Sequence, residues 1–450
     1  MKNKLKKLVA LGMVIGLTLT LLTACIGDST TDDTPAVADT NDTTDDADDT
    51  ADDTAGGSET VDTIQIGLIM PLSGVNADQG VFNVDGGQLA ADWINENGGI
   101  HSLGGAQIEL VVYDNESDPD RSRMVAERMI DENPNMIAAT GAAASSFVIP
   151  MLPTFERAGL PFLTGQTSQA ITAQDYQYVF AIAAQSPGFA AAQVDILEWI
   201  NAEYGTELTR IGIIYEDSEW GLTNSQAARD LIEQMDHFEL AFDQSFTPGA
   251  ADLSPIVVGL IDADVEVIMP SVYTQDARLL FNTMTAFDYA PLIVGGGAGV
   301  LFPGFAEDLG DLVDGIISVA SHNFDVTTIR NNPDLANISE RFEAEFGYIM
   351  PEQAVGTFSA VYLIAQALEI SGTTDRTDLM HAIRALDTAG LTPGGPMAFA
   401  ENGFNENSVA VMVQWQRGDD DIFRPRSVFP PEEADVEFQL TELLIEKQSN

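Results

Sequence analysis

Short apolar runs alternate with longer amphipathic segments along most of the chain. Residues 64–70 are almost wholly apolar and are followed by a proline, which predicts a buried strand. Residues 79–95 then place Leu89, Trp93 and Ile94 on one side of a predicted helix. The same pattern predicts strands at 108–114, 136–140, 210–215, 238–246, 265–270 and 292–294, and helices after Asp118, from Ser145 and at 225–235. Repeated β-loop-α units with apolar strands are typical of parallel sheets covered on both faces.

The alternation restarts after residue 190, so two sets of strand–helix units follow each other in the sequence. We therefore predict an α/β protein with two doubly wound parallel-sheet lobes. Ligands of such sheets bind beyond the carboxyl ends of the strands, where loops meet helix N-termini. A crevice between the two lobes is the expected binding site.

The N-terminus has the features of an export signal. Four lysines within the first seven residues precede an apolar run at 8–22, which is too short for a comfortable membrane span. The run ends in Leu22-Thr23-Ala24-Cys25, which resembles a bacterial lipobox, so we expect Cys25 to become the lipidated first residue after cleavage. An ordinary signal peptide with a chance cysteine is the alternative. We expect no other stretch of the chain to be long and apolar enough to span a bilayer.

Residues 26–62 form an acidic low-complexity segment with twelve Asp, one Glu and no basic residue. This composition cannot bury enough apolar area to offset chain entropy, so we expect a solvated spacer. A calcium-binding tract is the alternative, although EF-hand spacing is missing.

Acidic residues also dominate the rest of the chain. Outside the leader and the spacer, 57 acidic and 15 basic residues leave a net charge of −42. Such a field disfavours nucleic-acid binding and favours a soluble monomer. It also suggests a surface adapted to salty surroundings outside the cell.

Catalytic and metal-binding motifs are not evident. The single cysteine is assigned to the lipid anchor, and the four histidines are scattered. The glycine-rich run at 295–299 lacks the Lys-Ser/Thr of a P-loop, and no GxSxG elbow occurs. We therefore expect no enzyme activity, no cofactor and no metal site.

A series of loose motifs runs in order through residues 64–418. It comprises Ile66-Gly67 with Pro71-Leu72-Ser73-Gly74, Gly80, the segment 94–100, Asp114 with Asp118-Pro119, Gly141 with Ser145-Ser146, Gly159-Leu160-Pro161 with Thr167 and Ile171-Thr172, and, more weakly, Trp220-Gly221, the segment 265–273, Gly395-Pro396, Phe399 and Asn402-Gly403. Taken together behind a lipobox, they resemble the type I periplasmic solute-binding proteins, specifically the Leu/Ile/Val-binding branch that serves ABC transporters. The resemblance implies two lobes joined by a three-strand hinge, with a small ligand bound between them.

The resemblance also implies roles for individual residues. Ser145 and Thr167 would hold a ligand carboxylate, and Gly165 would supply backbone contacts beside it. Trp220 and Tyr273 would place aromatic rings from the second lobe over the ligand. Ser145-Ser146 also opens a predicted helix, where a hydroxyl and free N–H groups converge at the positive end. The alternatives are a plain N-cap for Ser145, a turn residue for Thr167 and packing roles for both aromatic residues.

The sequence departs from the family pattern where the ligand's α-ammonium would bind. Family members that bind amino acids use acidic groups there, but the matching positions are Ser186 and Gly297. An ammonium group without a partner is costly to desolvate. Either Asp276, Asp217 or Glu219 substitutes, or the ligand lacks an amino group.

These inferences predict the following organisation: a leader at 1–24, lipidated Cys25 and a linker to 63, lobe 1 at 64–185 plus 320–391, lobe 2 at 186–319 plus 392–430, and a tail at 431–450. The chain would cross between the lobes near Gln185, Ala320 and Thr392. We expect a lipid-anchored extracytoplasmic substrate-binding protein of an ABC importer, for a branched-chain amino acid or a related small carboxylate or amide. A sensor subunit that presents its ligand to a receptor or kinase is the alternative; an enzyme and a surface adhesin are further ones.

Overall fold

The structure is a computed structural model that describes residues 62–321, 323, 333–388, 395–434 and 436–441. All of these belong to one compact unit, Glu59–Asn450. The predicted leader, the lipidation site at Cys25, nearly all of the spacer and the predicted crossing near Thr392 lie outside the described residues.

The first sheet is parallel throughout, with its strands in the order β2-β1-β3-β4-β5. The strands are β1 (Thr63–Met70), β2 (Gln107–Asp114), β3 (Ala138–Gly141), β4 (Phe162–Thr164) and β5 (Val179–Ala181). Ile64 and Ile66 of β1 belong to one buried apolar cluster and Ile69 to another, because successive side chains of a strand point to opposite faces. The sheet is therefore covered on both faces, as its apolar strands predict.

The second sheet is mixed, with its strands in the order β14-β13-β10-β9-β8-β6-β7. The strands are β6 (Arg210–Glu216), β7 (Glu239–Phe246), β8 (Val267–Ser271), β9 (Leu292–Gly295), β10 (Ile317–Ala320), β13 (Val411–Arg417) and β14 (Phe423–Phe429), and a separate small pair is β11 (Asp387–Thr388) and β12 (Met397–Ala398). Strands β6 to β10 are parallel to one another, whereas β13 is antiparallel to both of its neighbours, β10 and β14. The predicted parallel pairing is present from β6 to β10, and an antiparallel edge that the sequence pattern did not indicate is added to it, because a short hairpin turn joins β13 to β14.

Helices connect the strands of both sheets. They are α1 (Ala77–Glu96), α2 (Pro119–Glu132), α3 (Ser145–Val148), α4 (Leu152–Ala158), α5 (Ser186–Tyr204), α6 (Glu219–Ile232), α7 (Ser254–Asp262), α8 (Thr274–Ala286), α9 (Pro303–Leu309), α10 (Pro333–Phe346), α11 (Glu352–Ser371) and α12 (Arg376–Arg384). Helix α2 begins as predicted, because the Asp118 side chain accepts a hydrogen bond from the Arg121 amide.

Helix α6 begins six residues before the predicted start at Ser225. The side chain of Ser218 accepts a hydrogen bond from the Gly221 amide at 3.2 Å and caps the helix there. Trp220 therefore lies in the first turn of this helix, ahead of the predicted helix start. A cap decides this boundary, which the spacing of apolar residues alone does not reveal.

Helix α11 corrects a second expectation. Within the described residues, α11 alone is long and apolar enough to cross a membrane by length and composition. The sequence had led us to expect no such stretch beyond the leader. Two thirds of the most apolar stretch of α11 is buried inside the fold, however. It packs against α1, where a Cβ atom on Gly86 would lie 2.1 Å from the Ala354 carbonyl oxygen. Its apolar composition is therefore that of a core helix.

Strand β13 anchors part of the predicted C-terminal tail. Gln414 donates a hydrogen bond to the Gln439 carbonyl and accepts one from the Gln439 amide. The neighbouring Trp415 is fully buried, and its indole N–H donates to the Val300 carbonyl at 2.7 Å. Trp415 thus packs in the buried core from strand β13.

Candidate functional site

A cavity lies between the carboxyl ends of the two sheets. The first sheet contributes the end of β3 and the loop after β4, and the second contributes the loops after β8 and β9. Helices α1 and α11 form a further wall. The lining residues are Gln79, Asn83, Thr140, Gly141, Ala143, Gly165, Gln166, Thr167, Ile182, Ala183, Phe189, Trp220, Tyr273, Gly296, Ala298, Ser321, Glu352, Gln353, Gly356, Thr357 and Met397. The cavity thus lies where the fold class predicts a ligand site.

Trp220 and Tyr273 form an aromatic wall on the second-sheet side of the cavity. Their ring centroids lie 4.9 Å apart, and Trp220 is 5% exposed. Tyr273 precedes α8 as its N-cap residue and also packs against the apolar cluster of the first sheet. Burial raises the pKa of its phenol, so the ring stays neutral. The two predicted aromatic residues therefore lie together in the cavity.

Of the three residues expected to bind a ligand carboxylate, two line the cavity and one does not. Gly165 and Thr167 line the cavity. Ser145 begins α3 as predicted but is fully buried, and its hydroxyl oxygen accepts a hydrogen bond from the Ser168 amide at 3.3 Å. Ser145 is not among the described lining residues, so in this arrangement it holds the loop that carries Thr167.

Ser186 and Gly297 lie beside the cavity and do not line it. Ser186 is the first residue of α5, and its hydroxyl donates to the Thr167 carbonyl at 3.2 Å. Gly297 has a φ of 95°, and its amide donates to the Ser318 hydroxyl. Its neighbour Gly296 contributes to the lining instead. Ser186 thus supports a lining loop without facing the space.

The acidic residues proposed as substitutes also lie outside the lining. Asp217 is exposed. Glu219 accepts a hydrogen bond from the Ser168 hydroxyl at 3.0 Å, which joins α6 to a loop of the first sheet. Asp276 is 3% exposed and accepts hydrogen bonds from the two amides of the 249–250 turn. Glu219 and Asp276 thus have structural partners, and none of the three acids is among the residues that line the cavity.

A buried acid pair lies behind the aromatic wall. Glu216, at the end of β6, accepts a hydrogen bond from the Tyr273 amide and is 1% exposed. Its pKa is raised to about 8, mainly by burial and to a lesser extent by the neighbouring Asp276. Burial also raises the pKa of Asp276, which accepts a hydrogen bond from Glu216. The raised pKa of Glu216 favours its protonated form at neutral pH, and in that form it donates a hydrogen bond to Asp276.

Helices α1 and α11 supply lining residues that sequence reasoning missed. Gln79 and Asn83 lie one helical turn apart and are almost fully buried, and the Thr357 hydroxyl donates to the Asn83 side-chain oxygen at 2.7 Å. Two amide side chains at this spacing on an otherwise apolar helix face are the sequence signal that would have indicated α1 as a wall of the cavity. Glu352 and Gln353 carried no such signal, because an acid in a first helical turn is common.

Glu352 is the one charged side chain among the described residues that line the cavity. It is the first residue of α11 and accepts a hydrogen bond from the Ser321 amide at 2.7 Å. Burial raises the pKa of its carboxyl, and hydrogen bonds from the Ser321 amide and hydroxyl oppose this shift. Ser321 directly follows β10, so the carboxyl lies where the chain leaves the second sheet.

Two α/β sheets that enclose a polar cavity with an aromatic wall define a two-lobed ligand-binding protein. The family model for periplasmic binding proteins matches residues 63–420. The chain belongs to this family, and the resemblance to type I periplasmic proteins of the Leu/Ile/Val-binding branch is confirmed.

Curated relatives carry matching names. The chain is 27% identical to Leu/Ile/Val-binding protein homolog 8 of Brucella abortus over 366 residues, which cover 79% of this chain and 89% of the relative. It is 26% identical to Leu/Ile/Val-binding protein homolog 7 of the same organism over 373 residues, which cover 81% of this chain and 92% of the relative.

Solved structures share the fold. The branched-chain amino acid transporter substrate-binding protein of Streptococcus pneumoniae, in complex with isoleucine, superposes with a TM-score of 0.68 at 20% identity and covers 81% of this chain and 100% of its own. An ABC transporter solute-binding protein of R. palustris in complex with benzoate gives 0.69 at 18% identity, with 85% and 98% covered. The same fold therefore holds ligands with and without an amino group.

Proposed function

We propose that this protein is a lipid-anchored extracytoplasmic substrate-binding protein of an ABC importer, for a branched-chain amino acid or a related small carboxylate or amide. One observation carries the proposal: both sheets contribute to a single cavity that combines an aromatic wall with hydroxyl and amide groups. Apolar walls with a few convergent polar groups are typical of small-molecule sites. In this proposal the protein binds its ligand without converting it.

In the proposed cycle the ligand stabilises a closed arrangement of the lobes. The Trp220–Tyr273 wall packs on its apolar part, and Thr167 and the backbone at Gly165 bind its polar end. Contacts such as the one between Ser168 and Glu219 then join the two sides around it. A ligand that binds the closed arrangement more tightly shifts the population toward it, and the permease would receive this form.

Calorimetry on the chain without its leader and lipid, residues 26–450, tests the binding function. The ligands are leucine, isoleucine, valine, their amides and benzoate. We expect a saturable heat for at least one of them and a raised melting temperature in its presence, since a ligand that binds only the folded state stabilises it. A flat titration and an unchanged melting temperature across the panel would contradict the proposed ligand class.

Anchoring and import are tested in cells. Replacement of Cys25 by Ser is expected to release the protein from the membrane fraction, because the serine hydroxyl does not replace the thiol as the lipid acceptor. Deletion of the gene should abolish uptake of the radiolabelled ligand found by calorimetry. Unchanged uptake, with loss of a transcriptional or chemotactic response, would instead support the sensor function.

A further inference from the structure

The cavity extends along the carboxyl edge of the first sheet, from the end of β4 to the end of β1. Gly165 and Thr167 follow β4 and line it at one end, and Gln79, in the first turn of α1, lines it at the other. A Cβ atom on the adjacent Gly80 would collide with the Pro71 carbonyl, so the start of α1 lies against the end of β1. Strands β4 and β1 flank β3 and are therefore about 9.5 Å apart, which is two strand spacings.

The polar side chains of α1 at this end are neutral, and they differ in their contacts. The side-chain amide of Asn83 donates to the Gln79 carbonyl at 2.7 Å, and its oxygen accepts from the Thr357 hydroxyl at 2.7 Å. Gln79 is 2% exposed, and its side-chain amide makes no hydrogen bond to the described residues. A buried carboxamide without partners is costly, because its donors and its acceptor have both lost water. Gln79 therefore needs a partner that the described part of the chain does not supply.

We infer that Gln79 selects a ligand whose far end is an uncharged carboxamide, an inference that rests on the proposed binding function. A carboxamide accepts a hydrogen bond from the Gln79 side-chain amide and donates one to its oxygen, so both groups are satisfied together. Trp220 and Tyr273 cover the apolar middle of such a ligand, and Thr167 binds its carboxylate. A hydrocarbon end leaves the Gln79 amide buried and unpaired. The inference thus selects amide-terminated small carboxylates over branched-chain amino acids.

Ligand pairs of equal shape test the inference. A carboxamide and an isopropyl group have nearly the same shape, so we would compare asparagine with leucine, glutamine with 2-amino-5-methylhexanoate, and succinamate with 4-methylpentanoate. Residues 26–450 are titrated with each ligand by calorimetry. In the pair whose length fits the cavity, the wild-type protein should bind the amide member about 10- to 100-fold more tightly, because the hydrocarbon member leaves a buried amide unpaired.

Gln79→Leu should abolish this preference. The leucine side chain offers no hydrogen bond, so the amide member should bind about 10- to 100-fold less tightly, whereas the hydrocarbon member should keep its affinity. Gln79→Met, which keeps the length of the side chain, should behave in the same way. Gln88→Leu is the matched control, because Gln88 is exposed on the same helix and donates to Asp92 instead. Thermal melts establish that the three variants fold.

Each result has a distinct meaning. Binding of the hydrocarbon member as tightly as the amide member in every pair, or binding of valine or benzoate but of no amide member, overturns the role of Gln79 and leaves the binding function intact. Gln79 also borders a smaller cavity together with Thr274 of α8, so a role in lobe closure is the alternative. Equal weakening of both members of a pair by Gln79→Leu would support that alternative and overturn the selection. Binding of no pair, together with the flat titrations described above, overturns the proposed ligand class itself.

Discussion

Single residues set both the shape and the charge of the cleft. Trp220 and Tyr273 form its aromatic wall, and Glu352 is the acidic side chain among the described lining residues. Behind this lining, side chains such as Ser186 hold the lining loops in place. A substitution in the lining should therefore change ligand affinity, whereas one in the supporting groups should change stability first.

Removal of the indole tests the aromatic wall. Trp220→Ala should weaken ligand binding about 10- to 100-fold, because a buried aromatic side chain contributes on the order of 1.5–3 kcal/mol through burial alone. Calorimetry with the best ligand measures the loss. Trp199→Ala is the control, because Trp199 packs against Tyr204 and Phe438 and does not line the cavity. Equal loss in both variants would contradict a direct contact of Trp220 with the ligand.

The Glu216–Asp276 pair predicts a pH-dependent stability. The pKa of Glu216 is raised from 4.5 to about 8, so between these values the folded protein binds more protons than the unfolded chain. Stability from this group is complete below about pH 4.5 and falls as the pH rises toward 8. Glu216→Gln keeps both an acceptor for the Tyr273 amide and a donor for Asp276, so it should remove this dependence.

Chemical denaturation between pH 5 and 8.5 measures the effect. The difference in unfolding free energy between Glu216→Gln and the wild-type protein should grow in favour of the variant as the pH rises. The exposed Glu233→Gln should instead follow the wild-type curve. Parallel curves for Glu216→Gln and the wild-type protein would show that no proton is held by the pair.

At the scale of elements, α1 and α11 pack closely together, and Gly86 permits the close approach. A Cβ atom on Gly86 would lie 2.1 Å from the Ala354 carbonyl oxygen, which belongs to the backbone and does not move aside easily. A Cβ atom on Gly356, one turn into α11, would meet no atom within 4 Å, because Gly356 borders the cavity. The same two helices thus pack tightly at Gly86 and border the cavity at Gly356.

Two alanine substitutions should separate these roles. Gly86→Ala should destabilise the protein by about 1–3 kcal/mol, because the helices must move apart. Gly356→Ala should stabilise it by roughly 0.5–1 kcal/mol through lower entropy of the unfolded chain, while its methyl group narrows the cavity and weakens ligand binding. Thermal melts and calorimetry on both variants measure these changes. A Gly356→Ala protein with unchanged affinity would place the ligand away from α11.

At the scale of the whole molecule, charge repulsion opposes the folded state. The part of the chain outside the leader and spacer carries 57 acidic and 15 basic residues. Most of the observed ion pairs are exposed, so each contributes little to stability. Repulsion among the excess carboxylates therefore remains, and dissolved salt is the agent that screens it.

The melting temperature is expected to rise with added KCl. Between about 0.01 and 1 M salt the Debye length falls from about 30 to 3 Å, which shortens the range of repulsion below the spacing of most surface carboxylates. Thermal melts across this range measure the effect, and chloride is preferable to sulfate, which also strengthens apolar burial. A melting temperature that is independent of salt would contradict a surface adapted to saline surroundings.

The sequence alone was sufficient for the class of fold and for part of the site. Apolar runs of strand length between amphipathic segments indicate buried parallel strands, and this information is local. The sequence pattern did not predict the antiparallel pair β13–β14 or the start of α6 at Glu219. Neither a hairpin turn nor a single capping hydroxyl changes the spacing of apolar residues. Trp220 and Tyr273, which the resemblance to the family pointed to, both line the cavity.

Only the tertiary structure brought α1 and α11 to the cavity. Gln79 and Glu352 are separated by more than 270 residues in the sequence and lie near the N-termini of two different helices. Their proximity comes from the close packing of α1 against α11. The sequence determined the alternating strands and helices of this protein, because hydrophobic periodicity is a local property of the chain. Tertiary packing decided which polar groups line the cavity, since that depends on which distant segments meet.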